Sequence, residues 1–226
     1  MKGIYLRNLK KHGTPKTLVQ YFRDNDFDYA ALHVLWNTER TVLRYAEALA
    51  SINVMIGFYA TPEAFKPANW RKTLMEMDRI AQEFGGEYDL IANPESGWPN
   101  TAKMRAEARE LAHVLVNYGE SKHCAWAWVV SYPAHPMRKY WVDADLVGSP
   151  EVYDRFNDQP ASYPARWIDR WEKLGWYEVV PSLAGWGKTA AQMKTYLGNV
   201  PGTSGIFWVT SLPKGAVLKV MSDWGR

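Results

Sequence analysis

The sequence predicts an α/β protein, a compact (β/α)8 barrel of the TIM type built as one domain over residues 1–226. Three observations carry this. Strand-like apolar runs alternate with amphipathic helical stretches about eight times, the pattern of a parallel sheet covered by helices. The 226 residues fall within the roughly 200–250 that such barrels occupy as one unit. An open dinucleotide-binding sheet, the competing architecture, would carry a G-x-G-x-x-G loop after its first strand, and Arg7-Asn8-Leu9-Lys10-Lys11-His12-Gly13 has none.

Gly3–Asn8 reads as the first strand. Thr14 and Pro15 then open a helix, as a cap and a first-turn proline do, with Leu18, Val19 and Phe22 on its apolar face. Phe27–Trp36 is the second strand and Thr38–Ser51 the second helix. Ile52–Tyr59 is the third strand. A loop with Pro62 and Pro67 leads to a helix over Asn69–Phe84, ended by Gly85 and Gly86. Tyr88–Ala92 is a short apolar run of the kind a fully buried strand shows, and Asn100–Tyr118 is the fourth helix. Lys122–Val130 is strand five, followed by a fifth helix reduced to Pro136–Tyr140. Trp141–Val147 reads as strand six, Gly148–Pro164 as a long polar loop, and Ala165–Leu174 as a helix. Tyr177–Leu183, Thr189–Leu197 and Gly205–Val209 supply strand seven, helix seven and strand eight, with a short helix after Pro213.

Composition narrows the function classes. The chain is 47% hydrophobic and 23% charged, ordinary for a protein with a sizeable core. Its net charge of +3 includes no Lys/Arg block, so a nucleic-acid partner is not implied. No apolar stretch is long enough to span a membrane, and Met1 leads directly into a strand without a signal peptide, which points to synthesis in a cytoplasm. Cys124, the single cysteine, excludes an intramolecular disulfide and a cysteine-based zinc site, and its apolar setting suits a buried small hydrophobe. The five histidines lack H-x-x-x-H spacing, so no metal or other cofactor is expected. The unusual figure is 12 Trp beside 13 Tyr, because flat aromatic faces with a polar edge suit binding surfaces as well as cores.

In such a barrel the active site lies where strands end and the following loops begin. The fourth strand breaks there into Asn93-Pro94-Glu95-Ser96-Gly97-Trp98-Pro99, a polar turn carrying an acid. Glu95 is the candidate general acid, with Trp98 expected beside it to desolvate the carboxyl; capping of helix four is the bland alternative. Glu151 and Asp154, after strand six, are the candidate second carboxylates, although Ser149-Pro150-Glu151 also resembles a helix start. Asn93, two residues before Glu95 on an extended chain, would share its face, or serve the turn before Pro94. Trp36, Tyr59, Tyr132, Tyr153 and Trp186, from other strand ends, complete the candidate substrate-binding set with Asn93 and Trp98. Arg7, Asn8, Asn37, Ser131, His135, Ser182, Lys188 and Thr210 occupy similar positions. Trp126 and Trp128, on one face of strand five, read as packing, and His33 as an interior histidine. Gly185-Trp186-Gly187-Lys188-Thr189 matches only the end of a G-x-x-x-x-G-K-[ST] phosphate loop.

The N-terminal Gly3-Ile4 strand, Asn93-Pro94-Glu95 and Ser149-Pro-Glu-Val-Tyr153 together resemble (β/α)8 glycoside hydrolases, nearest to the lysozyme-like family 25 barrels and related phage-borne proteins. The resemblance implies Glu95 as the acid that protonates a glycosidic oxygen. Asn93 stands where that family has Asp, and Tyr5 where a first-strand Asp is expected. It further implies a polysaccharide substrate, most naturally peptidoglycan, and a phage-encoded protein acting on the cell wall. An inactive hydrolase-like barrel that binds glycan or serves a phage particle is the alternative. A third class is a barrel enzyme of small metabolites. The shape of the strand-end face separates them, a long groove suiting a polymer and a bounded pocket a metabolite.

Overall fold

A computed structural model describes residues 1–95, 97–119, 124–131, 135–142, 146–153, 162–176 and 178–225. Nine strand segments, all paired in parallel, form one sheet: β1 (Lys2–Leu6), β2 (Tyr29–His33), β3 (Met55–Tyr59), β4 (Tyr88–Ala92), β5 (Cys124–Ser131), β6 (Leu146–Pro150), β7 (Glu178–Val179), β8 (Ser182–Ala184) and β9 (Gly205–Trp208). The helices between them are α1 (Pro15–Asp24), α2 (Glu39–Ala50), α3 (Trp70–Phe84), α4 (Ala102–Gly119), α5 (Arg138–Trp141), α6 (Tyr163–Glu172), α7 (Ala190–Gly198) and α8 (Gly215–Asp223). A 3₁₀ turn, Leu9–His12, follows β1. Among the described residues no helix is long and apolar enough to cross a membrane.

The sheet order β7-β6-β5-β4-β3-β2-β1-β9-β8 begins and ends on consecutive pieces of one stretch, Glu178–Ala184. Its first half pairs with β6 and its second half with β9. Across the junction Val180 N–H donates to Gly148 O, Ile206 N–H to Pro181 O, and Val152 N–H to Ser182 O. A parallel bridge joins Glu151 to Ser182. The stretch is therefore one seventh strand, divided at Pro181, which has no N–H to give a ladder. With it the sheet curls into the TIM-type barrel expected from the alternation.

The strands are apolar on both faces, as parallel strands between a barrel interior and a helix layer must be. Alternation sends Ile4, Ala30, Leu32, Ile56, Phe58, Leu90, Ala127, Leu146 and Phe207 outward to the helices. Tyr5, Tyr29, Ala31, Tyr59, Ile91, Trp128, Val130, Val147, Val180 and Ile206 fill the interior. Trp126 and Trp128 belong to this interior cluster, as packing residues rather than cavity wall.

Three sequence expectations shift. Trp141 ends the one-turn α5 and is fully buried beside Trp98, so strand six begins at Leu146. Gly148 to Pro150 extend that strand instead of opening a loop. Gly148 is required there, because a side chain would strike Trp171 and Trp176, stacked against each other outside the strand. Glu151 consequently stands at a strand end, not a helix start. Strand two closes at His33, leaving Trp36 in the loop beyond.

One polar pair lies deep inside the barrel. Tyr29 Oη donates to Asp89 Oδ2 at 2.8 Å, and Gly57 makes room for that hydroxyl, since a Cβ there would collide with it. Burial pushes the Asp89 carboxyl up to about 7, partly offset by the Tyr29 hydrogen bond. A folded-state value above the unfolded one means that, between about pH 4 and 7, the folded form alone holds the proton. Stability is then greatest at the acid end of that window and falls as pH rises through it, by on the order of 3–4 kcal/mol for this group. Asp89→Asn keeps an acceptor for Tyr29 and removes the dependence. Urea unfolding at about pH 5 and about pH 8 should show wild type losing stability between the two and Asp89→Asn losing much less; equal losses would contradict the assignment.

Candidate active site at the barrel mouth

The C-terminal ends of the strands surround a cavity of about 640 Å³. Its wall contains Arg7 and Asn8 after β1, Trp36 after β2, Thr61 to Glu63 after β3, Asn93 and Glu95 after β4, Glu151 and Tyr153 after β6, Trp186 after β8, and Trp208 to Thr210 at and after β9. Lys11 and His12 complete one side. The volume lies within the about 300–1,000 Å³ of small-molecule sites.

The two carboxylates expected to act together, Glu95 and Glu151, share this cavity. Glu151 is 5% exposed. Its backbone N–H donates to Ser131 O at 2.7 Å, and its Oε1 accepts from Tyr153 Oη at 3.2 Å. Below it runs a hydroxyl chain, Ser149 Oγ to Ser182 Oγ at 2.9 Å and Ser182 Oγ to Tyr5 Oη at 3.2 Å. Burial raises the Tyr5 and Tyr153 hydroxyls above the ordinary tyrosine range, and the negative charges of both Glu151 and Glu95 add to the shift. Both carboxylates thus act electrostatically on the same two rings.

Asn93 is 1% exposed, and neither its Nδ2 nor its Oδ1 has a hydrogen-bond partner among the described residues. Buried amides are nearly always paired, so an unmet one in a cavity wall is a group held ready for something that enters the cavity. The aromatic wall is organised by ring contacts. Trp208 stacks on Tyr5 at 4.3 Å, and Tyr153 meets Trp186 edge-on at 5.3 Å. The Arg7 guanidinium lies 3.8 Å over the Trp36 ring, so the most exposed aromatic of the rim, at 54%, carries a cation on its face. Asn37 fixes this corner: its Nδ2 donates to Arg7 O and His33 O, and its Oδ1 accepts from Leu9 N–H.

Of the residues singled out in the sequence, Trp36, Asn93, Glu95, Glu151, Tyr153 and Trp186 come together in the cavity wall. Trp98 and Tyr59 lie elsewhere. Trp98 is 3% exposed, donates from Nε1 to Phe65 O at 3.1 Å and packs edge-on against Trp141. It therefore ties the loop after β4 to the loop after β3 instead of flanking Glu95 in the cavity. Tyr59 is fully buried among Tyr5, His33 and Trp208, its hydroxyl without a partner among the described residues. Tyr132 and Asp154 lie outside the described residues. His33 accepts at Nδ1 from Trp36 N–H and is held down to about 4 by burial and then by Arg7, so it is neutral and carries its proton on Nε2. His135 accepts at Nδ1 from Met137 N–H and packs on Trp141.

Sequence reasoning missed Lys11, His12, Glu63 and Trp208 as wall residues. Trp208 was findable: it ends an apolar strand two residues before Thr210, with the parity that points inward. Among the described residues no three or more His, Cys, Asp or Glu side chains are gathered as a metal-binding group. Cys124 is buried, its thiol pushed up to about 12 first by burial and then by Asp89.

No protein-family model and no curated protein matches the chain. Solved structures do. An uncharacterized B. cereus protein is 12% identical over all of this chain at a TM-score of 0.59; the chain spans 66% of that protein, just under two thirds of its length. A D-psicose 3-epimerase, solved in the presence of D-fructose, is 10% identical over 99% of this chain and 90% of its own, at a TM-score of 0.45. A racemase from Streptomyces coelicolor A3(2) with bound magnesium is 10% identical over 93% of this chain and 52% of its own, at 0.36. At these identities the likeness is one of fold. The expectation of a family 25 or phage-type glycoside hydrolase acting on peptidoglycan, with its glycan-binding alternative, is corrected here. No family model or curated protein places the chain among glycoside hydrolases, and the strand-end face holds a cavity of about 640 Å³, the size of a small-molecule site.

Proposed function

We propose that the chain is an enzyme of small polar metabolites that moves a proton on its substrate, with Glu95 and Glu151 as the acid–base pair. The observation that carries this reading is the meeting of two carboxylates, from the ends of different strands, in one cavity of metabolite size. Two such groups on a small carbonyl compound can work in sequence. One carboxylate takes the proton from the carbon beside the carbonyl. The electron pair moves to the carbonyl oxygen as an enolate. The other carboxyl, protonated, returns a proton to carbon and restores the carbonyl. The developing oxyanion needs donors placed in advance, and Asn93 Nδ2 and the Arg7 guanidinium are two donors in the wall. Trp36, Trp186 and Trp208 offer faces for the apolar side of the substrate.

The test is exchange in D2O. Hydroxy-ketones, hydroxy acids and amino acids, each with and without a phosphate group, are incubated with the protein and weighed by mass spectrometry. A substrate should gain deuterium at carbon. Glu95→Gln and Glu151→Gln should each slow that gain by about 10²- to 10⁴-fold while keeping the wild-type circular dichroism. Exchange that persists in both variants, or exchange in no compound of the panel, would sink the proposal.

Asn93 yields a second test. An amide held ready for a ligand is a burden to the empty fold, because its desolvated ends go unmet. Asn93→Leu, close in branching, should raise stability by about 1–2 kcal/mol in urea unfolding while abolishing exchange. Loss of stability on that change would mean that the amide serves the fold instead.

A further inference from the structure

Beside the acid–base cavity lies a second one, of about 680 Å³, between the loops that follow β8 and β9. Its wall holds Lys11, His12, Lys188 and Lys214 together with Thr210 and Ser211, and no Asp or Glu among the described residues. Its neighbour differs in that Glu63, Glu95 and Glu151 join Arg7, Lys11 and His12 in the wall. Lys11, His12, Trp186 and Thr210 line both, so the two spaces adjoin.

Two further features point to an anion. His12 is 8% exposed and its Nδ1 has no partner among the described residues, although it stands in this wall. A buried ring nitrogen left unmet beside three lysines is a donor or acceptor kept for a ligand. The second feature is the start of α8. Its N-cap, Lys214, makes no side-chain cap, so the N–H groups of the first turn, at Gly215 to Val217, are left for another acceptor, and Val217 lines the cavity. The neighbouring helix α7 differs: Thr189 and Gln192 close a capping box on its first turn, which leaves less for a ligand. Gly187 and Gly215, at φ of 67° and 56°, let the backbone turn where a side chain would be strained, and nothing lies within 4 Å of where a Cβ would stand at either. Lys188 is buried, with its ammonium 4.8 Å over the Tyr196 ring, so its charge is fixed in place.

We propose that this second cavity binds the phosphate of a small phosphomonoester, through Lys11, His12, Lys214 and the first-turn N–H groups of α8. The proposal rests on the acid–base reading only for the rest of the ligand: a phosphate held here would extend its carbon chain past Trp186 and Thr210 toward Glu95 and Glu151. The anion site itself stands on its own residues.

The experiment uses the full chain, with inorganic phosphate and glycerol phosphate as probes, followed by calorimetry and by NMR of the His12 ring. Burial holds the His12 pKa below the usual histidine value, and a bound phosphate should raise it. Saturable binding of both probes is expected, with that upward shift. Lys11→Ala and Lys214→Ala, both at exposed positions, should each weaken binding by about tenfold with unchanged circular dichroism. Glu95→Gln removes a negative charge from the adjoining cavity and should leave phosphate binding as tight as in the wild type or tighter. Absence of saturable binding, binding unchanged in both lysine variants, or capture only by phosphatidate vesicles would each overturn the proposal. Phosphate binding without any deuterium exchange keeps this site and removes the acid–base reading. Exchange confined to unphosphorylated compounds, with no phosphate binding, does the opposite.

Discussion

Everything at the barrel mouth depends on how the stretch Glu178–Ala184 pairs. It gives its first residues to β6 and its later ones to β9, with Pro181 at the change of partner. A proline interrupts a ladder, yet here the interruption falls where the strand passes from one neighbour to the other. The hydrogen bonds on either side, from Val180 to Gly148 and from Ile206 to Pro181, hold the seam. The seam also sets the site. Ser182 bridges Glu151 and bonds Ser149 and Tyr5, so the carboxylate of strand six, the hydroxyl chain beneath it and the first strand are fixed as one unit. The loop after β8 then brings Trp186 against Tyr153, so the aromatic wall follows from the same closure.

The interior is polar where a barrel fold alone would leave it apolar. Asp89, His33, Asn93 and Ser131 are all nearly or fully buried. They differ in what they are given. Asp89 has the Tyr29 hydroxyl, and His33 has the Trp36 N–H at Nδ1 while its Nε2 is unmet among the described residues. Among the described residues Asn93 has no partner on either end of its amide, and Ser131 Oγ is likewise unmet. A buried polar group with a partner is compatible with structure alone, whereas an unmet one costs about 1–3 kcal/mol unless something else satisfies it. Of these four groups Asn93 is the one that lines the cavity, and that place together with its unmet amide marks it as the group a ligand can meet.

The fold was legible because each strand announces itself: short, apolar on both faces and followed by a helical period. Strand six was the exception, since Trp141 looks like a strand residue by composition and is in fact buried at the end of one helical turn. The site was legible in part. Strand-end position alone brought Glu95, Asn93, Glu151, Tyr153, Trp36 and Trp186 to one cavity. It failed for Trp98, three residues after Glu95, because Gly97 takes a φ of 78° and the chain beyond it carries the indole down to Phe65 O. No periodicity encodes such a reversal. The second cavity was invisible for another reason. Its walls come from residues 11–13, 185–188 and 210–217, segments with no common motif that only closure of the barrel makes neighbours.

Charge is sorted between the two spaces in a way the net value of +3 conceals. One wall gathers Glu63, Glu95 and Glu151 with Arg7; the other gathers Lys188 and Lys214 with no acid among the described residues, and Lys11 and His12 stand between the two. Oppositely charged neighbours at this distance from bulk water set up a field along the line between them. An anionic molecule with one charged end would be oriented by that field before any hydrogen bond forms, its charged end drawn to the lysines and repelled by Glu95 and Glu151. Orientation of that kind matters for proton transfer, since a carboxylate can act only on a carbon presented to it at hydrogen-bonding reach. The separation also lets each cavity keep its own chemistry. Carboxylates placed among the lysines would be held ionised by them, and the acid half of a proton-transfer pair has to carry a proton.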